Sequence, residues 1–113
     1  MATTLEQNIS PRIKARWPIT IITNHRLIEA ESKNITANGI LARCKESLHE
    51  NETYRMVITL PQNRYVEVKG KVVWSNLNSI DPNGTFSDMG FSFVKLYGED
   101  RYILNHAISA QLA

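Results

Sequence analysis

The chain has 113 residues, which is the size of one domain and leaves no room for a second unit with its own core. Hydrophobic residues make up 42% of it and charged residues 21%, which excludes a largely disordered, collagen-like or coiled-coil chain. The net charge of +2 arises entirely from residues 1–17, which excludes the broad cationic face of a duplex-DNA-binding protein and favours a small anion as the partner.

The sequence shows no signal for membrane insertion or secretion. The longest uncharged and mostly apolar stretch, Trp17–Asn24, is far shorter than the ~20 residues of a membrane-spanning helix. Met1–Ser10 is polar and contains Glu6, so it lacks the basic start and apolar core of a secretory signal. Cys44 is the single cysteine and cannot form an intrachain disulfide. We therefore expect a cytoplasmic protein.

Between residues 18 and 96 the sequence alternates apolar and polar residues in short runs that are rich in β-branched and aromatic side chains. Turn residues separate these runs, among them Asn24-His25, Asn38-Gly39 and Pro61-Gln62-Asn63. The predicted strands are Ile19–Asn24, Leu27–Ser32, Ile40–Cys44, Tyr54–Leu60, Tyr65–Ser75 and Met89–Leu96. Six strands at hairpin spacing favour an antiparallel β-barrel, because closure removes the unpaired edges of an open sheet.

Gly70 interrupts the long fifth strand, in which Val68, Val72 and Trp74 share one face by alternation. We expect a bulge or bend at Gly70 that lets the strand turn a corner of the barrel. The polar segment 76–87, between the fifth and sixth strands, is predicted to be a long, mobile loop.

A helical pattern replaces the alternation after Gly98. Glu99 and Asp100 come first, where acidic side chains complement the helix dipole. The apolar residues that follow at helical spacing are Ile103, Leu104, Ala107, Ile108 and Leu112. We expect this amphipathic helix to pack on an open end or seam of the barrel, and docking of a partner is the alternative.

The residue patterns of enzymes and metal sites are missing from the sequence. His25, His49 and His106 are far apart, and neither His nor Cys occurs at metal-ligand spacing. The basic neighbours of Cys44 in its strand point to the opposite face, so nothing activates the thiol. We therefore predict a protein with no catalytic residues, no metal and no cofactor.

Two polar segments flank the first two predicted strands. Arg12 and Arg16 are four residues apart, so they project to the same side in an extended or a helical segment. Guanidinium binds phosphate bidentately, donates to the O6/N7 edge of guanine and stacks on bases. Asn34 and Thr36 share one face of an extended chain, and Gly39 permits positive φ or a close approach of backbone to ligand. Taken singly, surface arginines and an Asn-Gly hairpin turn explain these residues equally well.

In this order, around the first strands of a six-stranded barrel, the segments resemble the PilZ domain family. That family has Arg-x-x-x-Arg before the first strand and Asp/Asn-x-Ser-x-x-Gly after the second, and here threonine replaces the serine. The matching residues are Arg12, Arg16, Asn34, Thr36 and Gly39. Gly70–Trp74 and Met89–Phe93 are similar to the fifth strand and the closing strand of the family, so the resemblance covers about residues 10–110.

The resemblance implies a bacterial receptor for cyclic di-GMP, in which the arginines bind phosphate and guanine and the second motif binds a guanine edge and phosphate. Such a domain would pass the signal to an unidentified downstream protein by a change of surface. Two alternatives are a PilZ-type adaptor that does not bind the nucleotide and a small barrel that stacks single-stranded nucleic acid on aromatic residues. We also expect residues 1–17 to be a flexible basic segment that the ligand draws onto the barrel formed by residues 18–113.

Overall fold

The computed structural model describes residues 12–46, 48–76 and 86–112. These ranges form six β-strands and one α-helix. The elements are β1 (Pro18–Ile22), β2 (Leu27–Ile35), β3 (Gly39–Cys44), β4 (Thr53–Leu60), β5 (Arg64–Asn76), β6 (Ser87–Leu96) and α1 (Gly98–Leu112). All seven predicted elements are confirmed, with ends that differ by up to three residues.

The six strands close into an antiparallel barrel with the order β1-β2-β3-β6-β5-β4. Hairpins join β1 to β2, β2 to β3 and β4 to β5, and the pairing of β1 with β4 completes the ring. Because every strand has a partner on both sides, the barrel leaves no strand edge free to pair with another chain. The predicted six-stranded antiparallel barrel with a C-terminal helix is confirmed.

The interior of the barrel is filled by the side chains of alternate strand residues. They are mainly β-branched, and they include Ile19, Ile21, Ile58, Val66 and Val68, all almost completely buried. β-Branched side chains favour the extended backbone and pack well on a pleated surface. These residues therefore form strands and turn this face toward the barrel interior.

Helix α1 packs against β5, and its apolar side joins the hydrophobic core, so the predicted packing of the helix on the barrel is confirmed. Leu104 and Ile108 are the buried residues of the helix, and Asp100 in its first turn accepts a hydrogen bond of 2.9 Å from the backbone N–H of Glu67. Leu112, in the last turn, is exposed. Within the described ranges no helix is both long and apolar enough to cross a bilayer.

Two register shifts bend the ladder between β5 and β6. One lies between Lys69 and Gly70, where Val94 of β6 is the extra residue, so the bulge expected at Gly70 occurs on the partner strand opposite it. The other lies between Val72 and Trp74, where Val73 is the extra residue. Alternation assigns Trp74 to the inward face of Val72, but Trp74 is 45% exposed because the bulge reverses the parity.

Residues 12–17 lie along β2, so the expectation of a flexible segment is corrected for this part of the chain. Ile13 and Ile35 exchange two backbone hydrogen bonds, of 3.0 and 2.9 Å. The side chains of Ile13, Ala15 and Trp17 are buried, because apolar residues at alternate positions give an extended segment one face that packs on the barrel.

Two other expectations lie outside the described residues. Residues 1–11 are not described, so flexibility there and a boundary between residues 17 and 18 stay predictions. The same holds for the mobile loop predicted at 76–87, of which residues 77–85 are not described.

Gly39 and Gly70 lie where a neighbouring group leaves no room for a side chain. A Cβ atom at Gly39 would be 2.5 Å from the backbone oxygen of Phe91, and one at Gly70 would be 2.6 Å from the sulfur of Met56. A backbone oxygen within a ladder cannot move aside, whereas the sulfur of a flexible methionine side chain can.

We therefore expect Gly39→Ala to lower the free energy of unfolding by about 3 kcal/mol and Gly70→Ala by about 1 kcal/mol, as measured by urea denaturation. Gly98→Ala is the control and should change stability little, because no residue elsewhere in the described part of the chain comes within 4 Å of its Cβ position. An equal decrease in the free energy of unfolding for the Gly39 and Gly70 variants would contradict the prediction that the contact at Gly39 is the more rigid one.

Candidate ligand-binding site

The two motif arginines project from the outer side of segment 12–17. Since Ile13, Ala15 and Trp17 face the barrel, Arg12 and Arg16 face outward, and both are exposed. The extended segment therefore presents both guanidinium groups on one side, as the spacing predicts.

Arg16 is held at β2 by an ion pair with Glu31. Its Nη2 and Nε donate to the same carboxylate oxygen, over 2.8 and 3.2 Å. The Arg16 side chain is nevertheless 81% exposed, so solvent screens the pair and a competing anion can reach the guanidinium.

Thr36 closes the hairpin between β2 and β3. Its hydroxyl oxygen accepts hydrogen bonds from the backbone N–H groups of Asn38 and Gly39, over 3.1 and 3.2 Å. The hydroxyl also donates to the carbonyl oxygen of Gly39, over 3.4 Å. A threonine can make these bonds as a serine would, so the replacement keeps the turn.

Gly39 has a different role from the one expected. Its backbone is not in the left-handed region, and the atom that fills the space of a side chain is the carbonyl oxygen of Phe91. The glycine therefore lets β3 approach β6, a contact that sequence spacing alone does not show.

Asn34 lies at a third register shift, between Ser32 and Asn34 in the ladder with β3. Its side-chain oxygen Oδ1 is buried and has no hydrogen-bond partner among the residues that the structure describes. An unpaired buried acceptor is unfavourable, so a donor supplied by a ligand would stabilise it.

A surface depression of about 430 Å³ lies next to Arg16, across β2 and β3. Its lining residues are Arg16, Pro18, Glu29, Ala30, Glu31, Arg43, Lys45 and Phe86. A smaller depression of about 250 Å³ shares Arg16, Glu31 and Arg43 with it and adds Lys33. We call these two depressions together the β2–β3 groove. Of the five predicted site residues Arg16 alone lines the groove, although Asn34 is next in sequence to Lys33.

The strand register aligns charged residues beneath the groove. Glu31 lies opposite Arg43, and Arg43 lies opposite Asp88 on β6. Asp88 accepts hydrogen bonds from Arg43 Nε over 3.2 Å and from Lys33 Nζ over 3.0 Å. Burial by itself would raise the pKa of Asp88, but these two hydrogen bonds and the charges behind them outweigh it, so its pKa is lowered. Asp88 therefore stays ionised and holds both cations in place.

Sequence reasoning did not assign the three cations that line the groove, or the acid behind them, to a site; these residues are Lys33, Arg43, Lys45 and Asp88. Alternation about Cys44 already placed Arg43 and Lys45 on the outer face. The order of the strands was needed to bring Asp88 beside Arg43, 45 residues away in sequence. The sequence therefore indicated that Arg43 and Lys45 face outward, but it did not indicate that Asp88 pairs with Arg43.

Cys44 takes no part in the groove. Its side chain is buried inside the barrel, and burial, with a further contribution from the charge of Asp88, raises the pKa of its thiol to about 12. His25, His49 and His106 are exposed, and no group of three potential metal ligands occurs within residues 12–46, 48–76 and 86–112.

A closed six-stranded barrel with an exposed arginine pair and a charged groove defines a small binding domain. The chain belongs to the PilZ domain family, whose model matches residues 7–109. No curated protein sequence matches it.

Two solved structures are similar to the barrel. The inhibitor of motility MotI/DgrA of Bacillus subtilis matches with a TM-score of 0.75 and 24% identity, over 92% of this chain and 51% of that one. The PilZ domain of YcgR from Escherichia coli, solved with cyclic di-GMP, matches with a TM-score of 0.74 and 12% identity, over 92% and 90% of the two chains. The chain thus spans about half the length of the Bacillus protein, and at these identities the likeness establishes the fold.

The lowered pKa of Asp88 predicts a pH-dependent contribution to stability. Asp88→Asn should lower the free energy of unfolding by about 1–2 kcal/mol at pH 7, because two cations lose their counter-charge. An acid with a lowered pKa stabilises the fold fully above the unfolded value of about 4, and the contribution disappears as the pH falls below it. The difference in stability between the two proteins should therefore shrink as the pH falls below ~4 and vanish once the pH has passed through the lowered folded-state pKa of Asp88. Glu46→Gln, which removes an exposed ion pair with Arg26, is the control and should change little. A gap between Asp88→Asn and the unmodified protein that stays constant with pH would contradict the prediction.

Proposed function

We propose that the chain is a receptor for cyclic di-GMP that converts the second messenger into an altered surface for a downstream protein. The observation that carries the proposal is the exposed arginine pair of the PilZ motif, presented on one side of a segment packed beside a cationic groove. The Escherichia coli domain with cyclic di-GMP supports the class of ligand. The proposed ligand-binding residues are Arg12, Arg16, Asn34, Thr36 and Gly39.

The roles of these residues differ in the proposed complex. Arg12 and Arg16 bind phosphate oxygens and a guanine edge, which suits the planar guanidinium group. Asn34 supplies the buried acceptor that the free protein leaves unpaired, and it pairs with an N–H donor of guanine. Thr36 and Gly39 shape the turn beside it, since the hydroxyl of Thr36 is engaged within the turn.

The packing of residues 12–17 changes the expected course of binding. Trp17 is 7% exposed and its backbone is bonded to Ser32, so the ligand does not need to draw this part of the chain onto the barrel. The local change is the exchange of one anion for another: a ligand phosphate replaces the carboxylate of Glu31 at Arg16. A preorganised segment needs less ordering on binding, which favours affinity.

The second candidate function is an adaptor that does not bind the nucleotide, and two contacts favour it. Arg16 already has an anionic partner in Glu31, and the hydroxyl of Thr36 is already bonded in the turn. The third alternative, a barrel that stacks single-stranded nucleic acid on aromatic residues, is weakened because Trp17, one of the aromatic candidates, is buried and cannot stack on a base. The proposal includes a non-catalytic role and a location in the bacterial cytoplasm, which the single cysteine favours.

Direct titration tests the receptor proposal. We expect cyclic di-GMP to bind with a Kd in the micromolar range, about −8 kcal/mol, in calorimetry. Arg16→Ala removes a charge-assisted contact and should weaken binding by about 2 kcal/mol, or thirtyfold. Arg16→Lys should not restore it, because the ammonium lacks the planar fork.

The matched control is Arg55→Ala, since Arg55 forms a similar exposed pair with Glu67 between β4 and β5, across the barrel. It should bind cyclic di-GMP like the unmodified protein. Absence of binding at a hundredfold excess over the micromolar range would instead support the adaptor.

The contact between Arg16 and Glu31 leads to a prediction of opposite sign. Glu31→Gln removes a competing anion, so we expect cyclic di-GMP to bind about threefold to tenfold more tightly, measured by calorimetry at low salt. Glu67→Gln, which releases Arg55 in the same way, should leave the affinity unchanged. Weaker binding by Glu31→Gln would show that the carboxylate positions Arg16 for the ligand and does not compete with it.

A further inference from the structure

Two bulges place apolar side chains on the outer wall of β5 and β6. Val73 is the extra residue of β5, and Val94 is the extra residue of β6, in the ladder that joins these strands. A bulge interrupts the alternation of a strand, so two consecutive residues are exposed at each one, Val73 with Trp74 and Val94 with Lys95. Both valines are more than half exposed, so they belong to the surface of the barrel and not to its core.

Three lysines lie on the same wall. Lys69 is directly opposite Lys95 in the ladder, and Lys71 follows two positions later on the same face of β5. Like charges directly opposite each other in a sheet are destabilising. None of the three lysines forms an ion pair with a residue that the structure describes, whereas Arg55, opposite Lys69 on β4, is paired with Glu67. A partner that brings negative charge would therefore relieve the repulsion.

Tyr97, directly after β6, extends the apolar part of this wall. It is more than half exposed, and the ammonium group of Lys95 lies 5.3 Å from the centre of its ring. We call this surface the β5–β6 strip, and its residues are Lys69, Lys71, Val73, Val94, Lys95 and Tyr97. None of them lines either depression of the β2–β3 groove, so the strip is separate from the proposed ligand site.

The composition of the strip suits contact with another protein. Exposed apolar side chains that lie together and are edged by charged groups mark interaction surfaces. In protein interfaces, apolar and aromatic side chains form the centre and charged groups form the rim. The lysines favour a partner segment with carboxylates, because complementary charge guides association and like charge opposes it.

Other occupants fit the strip less well. A symmetric contact with a second copy of the chain would place like-charged strips face to face. Basic clusters that bind anionic membranes contain about four to eight Lys or Arg residues, more than the lysines of the strip. Single-stranded nucleic acid is bound in a cationic groove, whereas the outer wall of a closed barrel is convex.

We propose that the β5–β6 strip is a docking surface for a partner protein and binds a segment of that partner in which acidic side chains accompany apolar ones. The carboxylates pair with the three lysines, and the apolar side chains pack on the two valines and on Tyr97. The inference goes beyond the proposed function, because the strip is exposed in the free protein and uses none of the proposed ligand-binding residues. It applies to a receptor and to an adaptor alike.

The probe is a short labelled peptide of alternating glutamate and leucine, titrated without cyclic di-GMP and followed by fluorescence anisotropy at low salt. We expect it to bind with a Kd of about 0.1 mM or tighter. A peptide with glutamine in place of every glutamate, and one with serine in place of every leucine, should each bind about tenfold more weakly, because each lacks one of the two components.

Variants of the strip locate the bound peptide. Lys69→Gln combined with Lys95→Gln should weaken binding about tenfold, and the fold should persist because a like-charge contact is removed. Val73→Thr combined with Val94→Thr keeps the shape and the β propensity of both side chains but adds hydroxyl groups, so it should weaken binding about threefold.

The matched control is Lys14→Gln combined with Arg64→Gln, which removes two exposed cations outside the strip. It should bind the peptide like the unmodified protein. Absence of peptide binding up to about 1 mM, equal binding of the glutamine peptide, or unchanged binding by both strip variants would overturn the inference.

Parallel assays use vesicles of phosphatidylglycerol and phosphatidylcholine, an oligothymidylate, and sedimentation equilibrium of the protein alone. Vesicle binding, oligonucleotide binding or self-association that the strip variants abolish would reassign the strip to that occupant and overturn the inference. Calorimetry with cyclic di-GMP separates the two proposals. Nucleotide binding without peptide binding would overturn only the docking surface, and peptide binding without nucleotide binding would overturn only the receptor.

Discussion

The attachment of residues 12–17 to β2 through Ser32 is the contact on which the geometry of the site depends. Pro18, the first residue of β1, has no backbone N–H and cannot donate a hydrogen bond to a neighbouring strand. The regular ladder of β1 therefore ends at this residue. The fully buried side chain of Ser32 instead connects residues 12–17 to β2. Its hydroxyl oxygen accepts a hydrogen bond from the backbone N–H of Trp17, and its hydroxyl group donates one to the carbonyl oxygen of Ala15. A buried hydroxyl with both partners satisfied fixes the segment, and the position of Arg16 follows from it.

The barrel register then determines which charges meet. Lys33 on β2 and Arg43 on β3 both form ion pairs with Asp88 on β6, so an ion-pair network crosses the outer face of these three strands. Ion pairs in water contribute little to stability, but Asp88 is only 6% exposed. Its contacts with Lys33 and Arg43 also hold the N–H groups of these two side chains at the groove. The same contacts therefore stabilise the barrel and orient the side chains that line the groove.

Close backbone approach connects the turn motif to the rest of the sheet. Gly39 lies against the carbonyl of Phe91 on β6, and Gly70 lies against the side chain of Met56. Gly39, which we propose as part of the ligand-binding site, is thus needed for strand packing as well. Loss of binding after substitution of Gly39 would consequently include a loss of stability, which the exposed Arg16 does not share.

The sequence by itself determined the six strands, the helix, their order along the chain and the projection of Arg12 and Arg16 to one side, because alternation, turn residues and arginine spacing are local properties. It also indicated the family through the motif order. Only the tertiary structure decided that residues 12–17 pack on β2, that Trp74 turns outward and that Asp88 meets Arg43. These features depend on bulges and on strand pairing between distant residues, which reverse parity or join separate segments without a local signal.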